Sequence, residues 1–277
     1  MSNKEIVITS AFRTAIGSFG GSLSSKSAPE LGAEVIKKCL EHSEIKGKEV
    51  DTVFMGQVLQ AGSKQNPARQ AAIAAGIPNE TISCTVNQLC ASGLTSVGYG
   101  YNSILLGEAK IAVCGGQESM SNAPHLVNLR NGIKMGPGTL EDSMIKDGLT
   151  CAMNDYHMGV TAENVAEKYQ ITKEDQDAFA AASQRKAIEA IKAKKFKDEI
   201  VPVKIKVKKD EVTFDTDEYP KEGVTVEKLA KLRPAFKKDG TVTAGNASGI
   251  NDGAAAVVLM TAEEAKSRDI EPIAKLV

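Results

Sequence analysis

Cys90 is the residue best placed for covalent chemistry. It follows the strand-like run Ser83 to Val86 and precedes Ala91-Ser-Gly93. Beyond these, Leu94, Val97, Tyr101, Ile104 and Leu105 recur at helical spacing. A thiol at such a strand-to-helix turn faces unpaired backbone N–H groups and the positive end of the helix dipole, and both favour thiolate over thiol. Nucleophile elbows use the same geometry with serine. The bland alternative is a small apolar filler, the role of most buried cysteines. Gly98 and Gly100 lie in the same helix, each costing about 1 kcal/mol relative to alanine. The helix is therefore expected to be buried, with another backbone passing close to its small residues.

The remaining candidates are weaker. Cys39 falls on the apolar face of a helix, Cys84 and Cys114 fall in strands, and Cys151 sits in a long loop without a basic neighbour. Of the three histidines, His42 lies in a charged stretch and His125 follows a proline. His157 stands in Asn154-Asp-Tyr-His-Met-Gly159, where its ring could line a cleft. No two histidines stand at i, i+4 and no CxxC occurs, so no metal site is expected. Ser248, in the glycine-rich Gly245-Asn-Ala-Ser-Gly-Ile-Asn-Asp-Gly253, reads either as a turn hydroxyl or as a contact to a ligand that approaches the backbone.

Alternating strands and helices position these groups. The first is a strand at Ile6 to Ile8. The box Ser27-Ala-Pro-Glu30 then opens a helix carrying Leu31, Val35, Ile36, Cys39 and Leu40. A strand spans Val50 to Val58, a helix starts at Asn66-Pro67, and a buried strand ends at Gly115-Gly116. This is an α/β pattern with a mostly parallel sheet. From 117 to 160 periodicity fades. Helices follow at Thr161 to Tyr169 and, behind Thr172-x-x-Asp175, at Lys173 to Lys195, and then comes an edge-type strand with Val201, Val203, Ile205 and Val207. The expected division is an α/β core over 1–116, an inserted loop domain over 117–249, and the start of a further α/β domain over 250–277.

Composition narrows the function classes. The 277 residues carry 34 basic and 35 acidic side chains, a net charge of -1, which offers no electrostatic case for nucleic acid or an anionic membrane. No apolar run approaches a membrane span. Five cysteines without a paired framework suit a reduced cytoplasm.

Five segments in order resemble the thiolase family of biosynthetic type. They are Val86-Asn-Gln-Leu-Cys-Ala-Ser-Gly-Leu94, Gly115-Gly-Gln-Glu-Ser-Met-Ser121, Tyr156-His-Met-Gly159 with Thr161-Ala-Glu-Asn-Val165, Leu232-Arg-Pro-Ala-Phe236, and Asn246-Ala-Ser-Gly-Ile-Asn-Asp-Gly253. The resemblance implies a thiolase fold, in layers α/β/α/β/α, with a loop domain inserted in its first half and a second half incomplete here. It implies acyl transfer that condenses two acetyl-CoA to acetoacetyl-CoA, and the reverse thiolysis, with coenzyme A thioester as substrate and no other cofactor. Cys90 takes the nucleophile's position. Leu149, His157, Met158, Phe236, Ala244, Ala247 and Ser248 take positions lining the pantetheine channel, and Met158 narrows it towards short unbranched acyl groups. Lys221 stands where the family has a CoA-contacting arginine, and Lys228 where it has a serine. The family's Gly-His-Pro and Cys-x-Gly-Gly-Gly segments, which carry its acid and base, are expected beyond residue 277. The resemblance further implies a homo-oligomer, a dimer of dimers joined through the 122–148 excursion. A non-catalytic CoA-binding or assembly module is the alternative for a chain without those segments. A ketoacyl-synthase type of condensing enzyme is opposed by Tyr156-His-Met-Gly159.

Overall fold

The computed structural model describes residues 4–277. The chain divides into two compact units. The first takes the chain up to Asn122, Glu199–Thr216 and Asn251–Val277; the second takes Ala123–Asp198 and Asp217–Ile250.

In the first unit, β1 (Ile6–Thr14) and β2 (Gly17–Ser18) are followed by α1 (Ala28–His42), β3 (Thr52–Gly56), α2 (Pro67–Ala74), β4 (Ile82–Val86), α3 (Ser92–Leu106) and β5 (Ala112–Ser119). The second unit holds β6 (His125–Leu126), β7 (Glu141–Asp142), a π-helical turn at Met144–Leu149, α4 (Met158–Tyr169) and α5 (Lys173–Lys192). The chain then returns to the first unit with β8 (Ile200–Val201), β9 (Val203–Val207) and β10 (Asp210–Phe214). After α6 (Val226–Leu229) in the second unit, β11 (Asn251–Thr261), α7 (Ala262–Ser267) and β12 (Ala274–Lys275) complete the first.

The main sheet runs β12-β1-β11-β5-β3-β4, with β2 on β11 and β8 on β1. Strands β4, β3 and β5 are parallel, as the βαβ pattern implies. The sheet as a whole is mixed, because β11 enters antiparallel between β1 and β5. It reaches the sheet from the second unit without the helical crossover that a parallel partner requires. Side chains alternate across the sheet with period two. Val7, Val113, Val258 and Met260 meet α1 and α2 on one face, while Ile6, Ala112, Cys114 and Leu259 meet α3 on the other.

Two expected boundaries move. Residues 199–216 leave the inserted segment, because Val201, Val203, Ile205 and Phe214 are buried in the core cluster of the first unit. Residues 250–277 do not stand apart as a further domain, since β11 is hydrogen-bonded along both edges inside the first sheet.

Helix α1 forms as its sequence implies. The Glu30 carboxylate accepts from the Ser27 N–H at 2.8 Å and from its hydroxyl at 2.6 Å. Leu31, Val35, Ile36, Cys39 and Leu40 are buried on one face, and each large aliphatic contributes about 1.5–3 kcal/mol by leaving water. Helix α3 buries Ser92, Ser96, Gly100 and Ile104, one residue per turn. A Cβ on Gly100 would lie 2.3 Å from the Cys114 sulfur, so this glycine admits β5 closely. Gly98 faces open space and has no such role. No described helix is long and apolar enough to cross a membrane.

Candidate active site

Cys90 is exposed and sits between the end of β4 and the first residue of α3. The residue before it, Leu89, has φ +50, a left-handed conformation that a leucine adopts only when its surroundings hold it there. Two side chains do so. Asn87 Oδ1 accepts the Leu89 N–H at 3.1 Å, and the Ser92 hydroxyl donates to the Leu89 carbonyl at 2.6 Å. The Ser92 oxygen also accepts the Gln88 N–H at 2.8 Å. Ala91 and Ser92 then donate their own N–H groups back to the Gln88 and Leu89 carbonyls. The result is a sharp turn that presents a thiol at the N-terminal end of a 15-residue helix, where the dipole favours negative charge. Gly56 at the end of β3 allows this turn to settle on the sheet, since a Cβ there would lie 2.7 Å from the Ser92 Cβ.

The other cysteines differ. Burial pushes the Cys39 thiol up to about 11 and the Cys114 thiol up to about 12, so both are inert at neutral pH. Cys84 is exposed on β4. Cys151 is half-buried, and the Asn154 side-chain amide, followed by the N–H groups of Met153 and Asn154, lowers its pKa. Among the described residues no cluster of three His, Cys, Asp or Glu could hold a metal ion.

In the second unit His157 caps α4. Its Nδ1 accepts the Gly159 N–H at 2.9 Å, so the helix begins at Met158 rather than at Thr161. Imidazole is not among the usual N-caps, which is why the sequence pattern points to a later start. The ring lies stacked on Phe236, centroids 4.9 Å apart and planes at 15°. Gly159 is required here, because a Cβ would lie 2.2 Å from the Phe236 ring. Met158 is exposed beside this pair, and Leu149 ends the π-helical turn half-buried.

Ala244, Ala247 and Ser248 lie on one turn, with Ala244 and Ser248 exposed. Asn246 pins that turn. Its Oδ1 accepts the Thr243 N–H at 2.7 Å, and its Nδ2 donates to the Thr241 carbonyl at 3.1 Å and to the Asp177 carboxylate at 2.9 Å. Asp177 is fully buried and also paired with Lys173. Just upstream, the buried Glu163 carboxylate accepts the N–H groups of Thr241 and Val242 and the Thr241 hydroxyl.

Lys221 lines a groove of about 650 Å³ between α5 and residues 221–227, together with Arg185, which is paired with Glu189, and Lys192, which is paired with Glu222. Its backbone N–H is held by the Gln184 side chain at 2.8 Å. Lys228 is outside that lining. Its ammonium donates to the Gly223 carbonyl at 2.6 Å and closes the turn into α6.

Several supporting residues are missed by a search for chemistry in the sequence. Asn87 carries one usable signal, since Asn is enriched where a side chain bonds its own backbone two residues on. Glu163 gives none, because the backbone it holds lies 78 and 79 residues away, and the bond that joins Asn246 to Asp177 spans 69 residues.

Comparison with known proteins agrees with this arrangement. The family model described as the thiolase N-terminal domain matches residues 6–263. An acetyl-CoA acetyltransferase of Rhizobium meliloti is 57% identical over the whole chain, which covers 70% of that protein. A protein of the same name from Pseudomonas aeruginosa is 56% identical over 99% of the chain, again covering 70% of the relative. A crystal structure of the Bacillus anthracis acetyl-CoA acetyltransferase superposes with a TM-score of 0.96 at 41% identity, covering 99% of this chain and 70% of that one. The thiolase fold expected from the five segments is therefore present, and the chain belongs to the thiolase family.

Proposed function

We propose that the protein transfers acetyl groups between coenzyme A thioesters through Cys90. The Cys90 thiolate attacks the carbonyl of acetyl-CoA and the bond to the CoA sulfur breaks, leaving a thioester on Cys90. A second acetyl-CoA then gives a methyl proton to a base, its methyl carbon attacks that thioester, and the Cys90 thiolate leaves as acetoacetyl-CoA forms. Thiolysis is the same sequence reversed. The observation that carries the reading is the exposed thiol at the head of α3 on a left-handed turn, in a chain whose relatives bear the acetyltransferase name. The Cys90 N–H is the group suited to the thioester oxygen.

In this reading the second unit supplies CoA contacts. The stacked His157 and Phe236, with Leu149, Met158, Ala244, Ala247 and Ser248, form the wall for pantetheine, and Met158 limits acyl length. Lys221, with Arg185 and Lys192 in its groove, meets the phosphates. Lys228 shapes the adjoining turn. No cofactor beyond the CoA thioester is required, and five free cysteines suit a reduced, cytoplasmic setting. The protein acts as a homo-oligomer. Two surfaces support this: β4 is a sheet edge with Ile82 exposed, and the 122–148 excursion exposes Leu129, Met135 and Leu140. Deleting residues 128–140 is expected to reduce tetramers to dimers in sedimentation, and an intact tetramer would contradict that assignment.

Neither a Gly-His-Pro nor a Cys-x-Gly-Gly-Gly segment occurs within the 277 residues. Groups that act as a unit in catalysis lose most of the rate together. A polypeptide of residues 1–277 alone is therefore expected to form Cys90 adducts without thiolysis turnover, and turnover would show that the acid and base lie within it. For the protein carrying those segments, acetoacetyl-CoA cleavage by CoA should proceed and should vanish in Cys90→Ser. Tight CoA binding without any turnover would instead establish the non-catalytic module.

A further inference from the structure

Glu118, near the end of β5, is a half-buried carboxylate that makes no ion pair among the described residues. It spends both oxygens on backbone: Oε2 accepts the Val58 N–H at 2.9 Å and Oε1 the Leu59 N–H at 3.1 Å. Burial, with Asp252 nearby, raises its pKa despite those two donors. Its neighbour Gln117 grips the same turn, donating to the Gln57 side-chain oxygen at 3.0 Å, while Gln57 donates to the Leu59 carbonyl at 2.9 Å. A carboxylate is a costly way to satisfy two N–H groups that water or a carbonyl would satisfy. What lies next to the gripped turn accounts for it. The Val58 carbonyl accepts Asn87 Nδ2 at 3.3 Å, and Asn87 Oδ1 accepts the N–H of left-handed Leu89 at 3.1 Å. Cys90 is the next residue.

We infer that Glu118 and Asn87 are positioning residues for the nucleophile, forming a hydrogen-bonded relay from β5 through Val58 to the Leu89 N–H that holds the thiol in its aim. This rests on Cys90 being the reactive group, as proposed above. Neither residue touches the thiol or donates a proton to it. Asn87 selects the left-handed conformation of Leu89, and Glu118 fixes the carbonyl that orients Asn87. The two are links of one chain, so their effects are coupled rather than independent.

The test is the rate of Cys90 carboxamidomethylation by iodoacetamide at fixed pH, read by peptide mass spectrometry, with Cys151 in the same molecules as internal reference. Asn87→Ala should slow Cys90 by roughly three- to tenfold, the worth of one or two hydrogen bonds, and leave Cys151 unchanged. Glu118→Gln, which can accept only one of the two N–H groups, should slow Cys90 in the same direction. The double variant should be no slower than the slower single one. Adding Leu89→Gly to Asn87→Ala should recover the rate, because glycine adopts the left-handed conformation without help. Unchanged Cys90 rates in both single variants would overturn the inference. So would multiplying effects in the double variant, or parallel slowing of Cys151, which reports general loosening. Failure of the underlying reading looks different, because Cys90 in the unaltered protein would then react no faster than Cys84 or Cys151. Should Glu118→Gln melt early, Asn87→Ala carries the test alone, since Asn87 is exposed and its loss opens no cavity.

Discussion

The His157 imidazole lies flat on the Phe236 ring, 4.9 Å between centroids, while its Nδ1 accepts the Gly159 N–H at 2.9 Å. One side chain thus starts a helix and builds a stacked wall, and Gly159 leaves space for the second ring. Gly159→Ala should force the rings apart and cost roughly 1–3 kcal/mol, the usual penalty of overpacking. His157→Asn keeps a good N-cap, so its cost should stay within about 1 kcal/mol, while KM for acetyl-CoA rises. Urea unfolding and steady-state kinetics check the two halves. Equal stability of Gly159→Ala and the unaltered protein would contradict the packing argument.

Glu163 makes the second unit acid-sensitive. Burial raises its pKa, but the N–H groups of Thr241 and Val242, the Thr241 hydroxyl and Lys237 outweigh that and hold it below its ordinary value of 4.5. A folded-state value below the unfolded one gives stability that is complete above 4.5 and is lost as pH falls through the folded value. Glu163→Gln should cost about 1–3 kcal/mol at neutral pH by leaving a donor short. The gap to the unaltered protein should narrow as pH falls. Urea midpoints from neutral pH downward measure it, and a gap that widens in acid would contradict the assignment.

Much of this arrangement was legible in the chain because its signals are local. The Ser27 and Thr172 boxes, the Asn66-Pro67 start and the apolar spacing of α1 and α3 all act within a few residues and led to the observed helices. The path of residues 199–216 was not legible. Val201, Val203 and Ile205 announce a buried face without saying which unit buries it. The antiparallel entry of β11 has the same cause, since its partners Gly115 and Phe12 lie far away in sequence. At the candidate site, Cys90 and His157 stood out by type and setting. Leu89 could not, because nothing about a leucine announces a left-handed backbone.

The five cysteines should separate by reactivity. Cys39 and Cys114, with thiols pushed up to about 11 and about 12 by burial, should stay unlabelled by iodoacetamide while the protein is native. Cys84 is exposed but has no helix terminus behind it, so it should react at an ordinary thiol's rate. Cys151, with its lowered pKa, should exceed Cys84 modestly. Cys90 should be fastest of all. Time-resolved peptide mapping gives the order, and native labelling of Cys114 would contradict the packing of Gly100 over its sulfur.

The most direct measurement is the mass of the Cys90 peptide after brief exposure of the protein to acetyl-CoA and an acid quench. The account predicts one acetyl group on Cys90, none on exposed Cys84, and removal of that group when CoA is added before the quench. Acetyl on no cysteine, or spread equally over Cys84, Cys90 and Cys151, would contradict it.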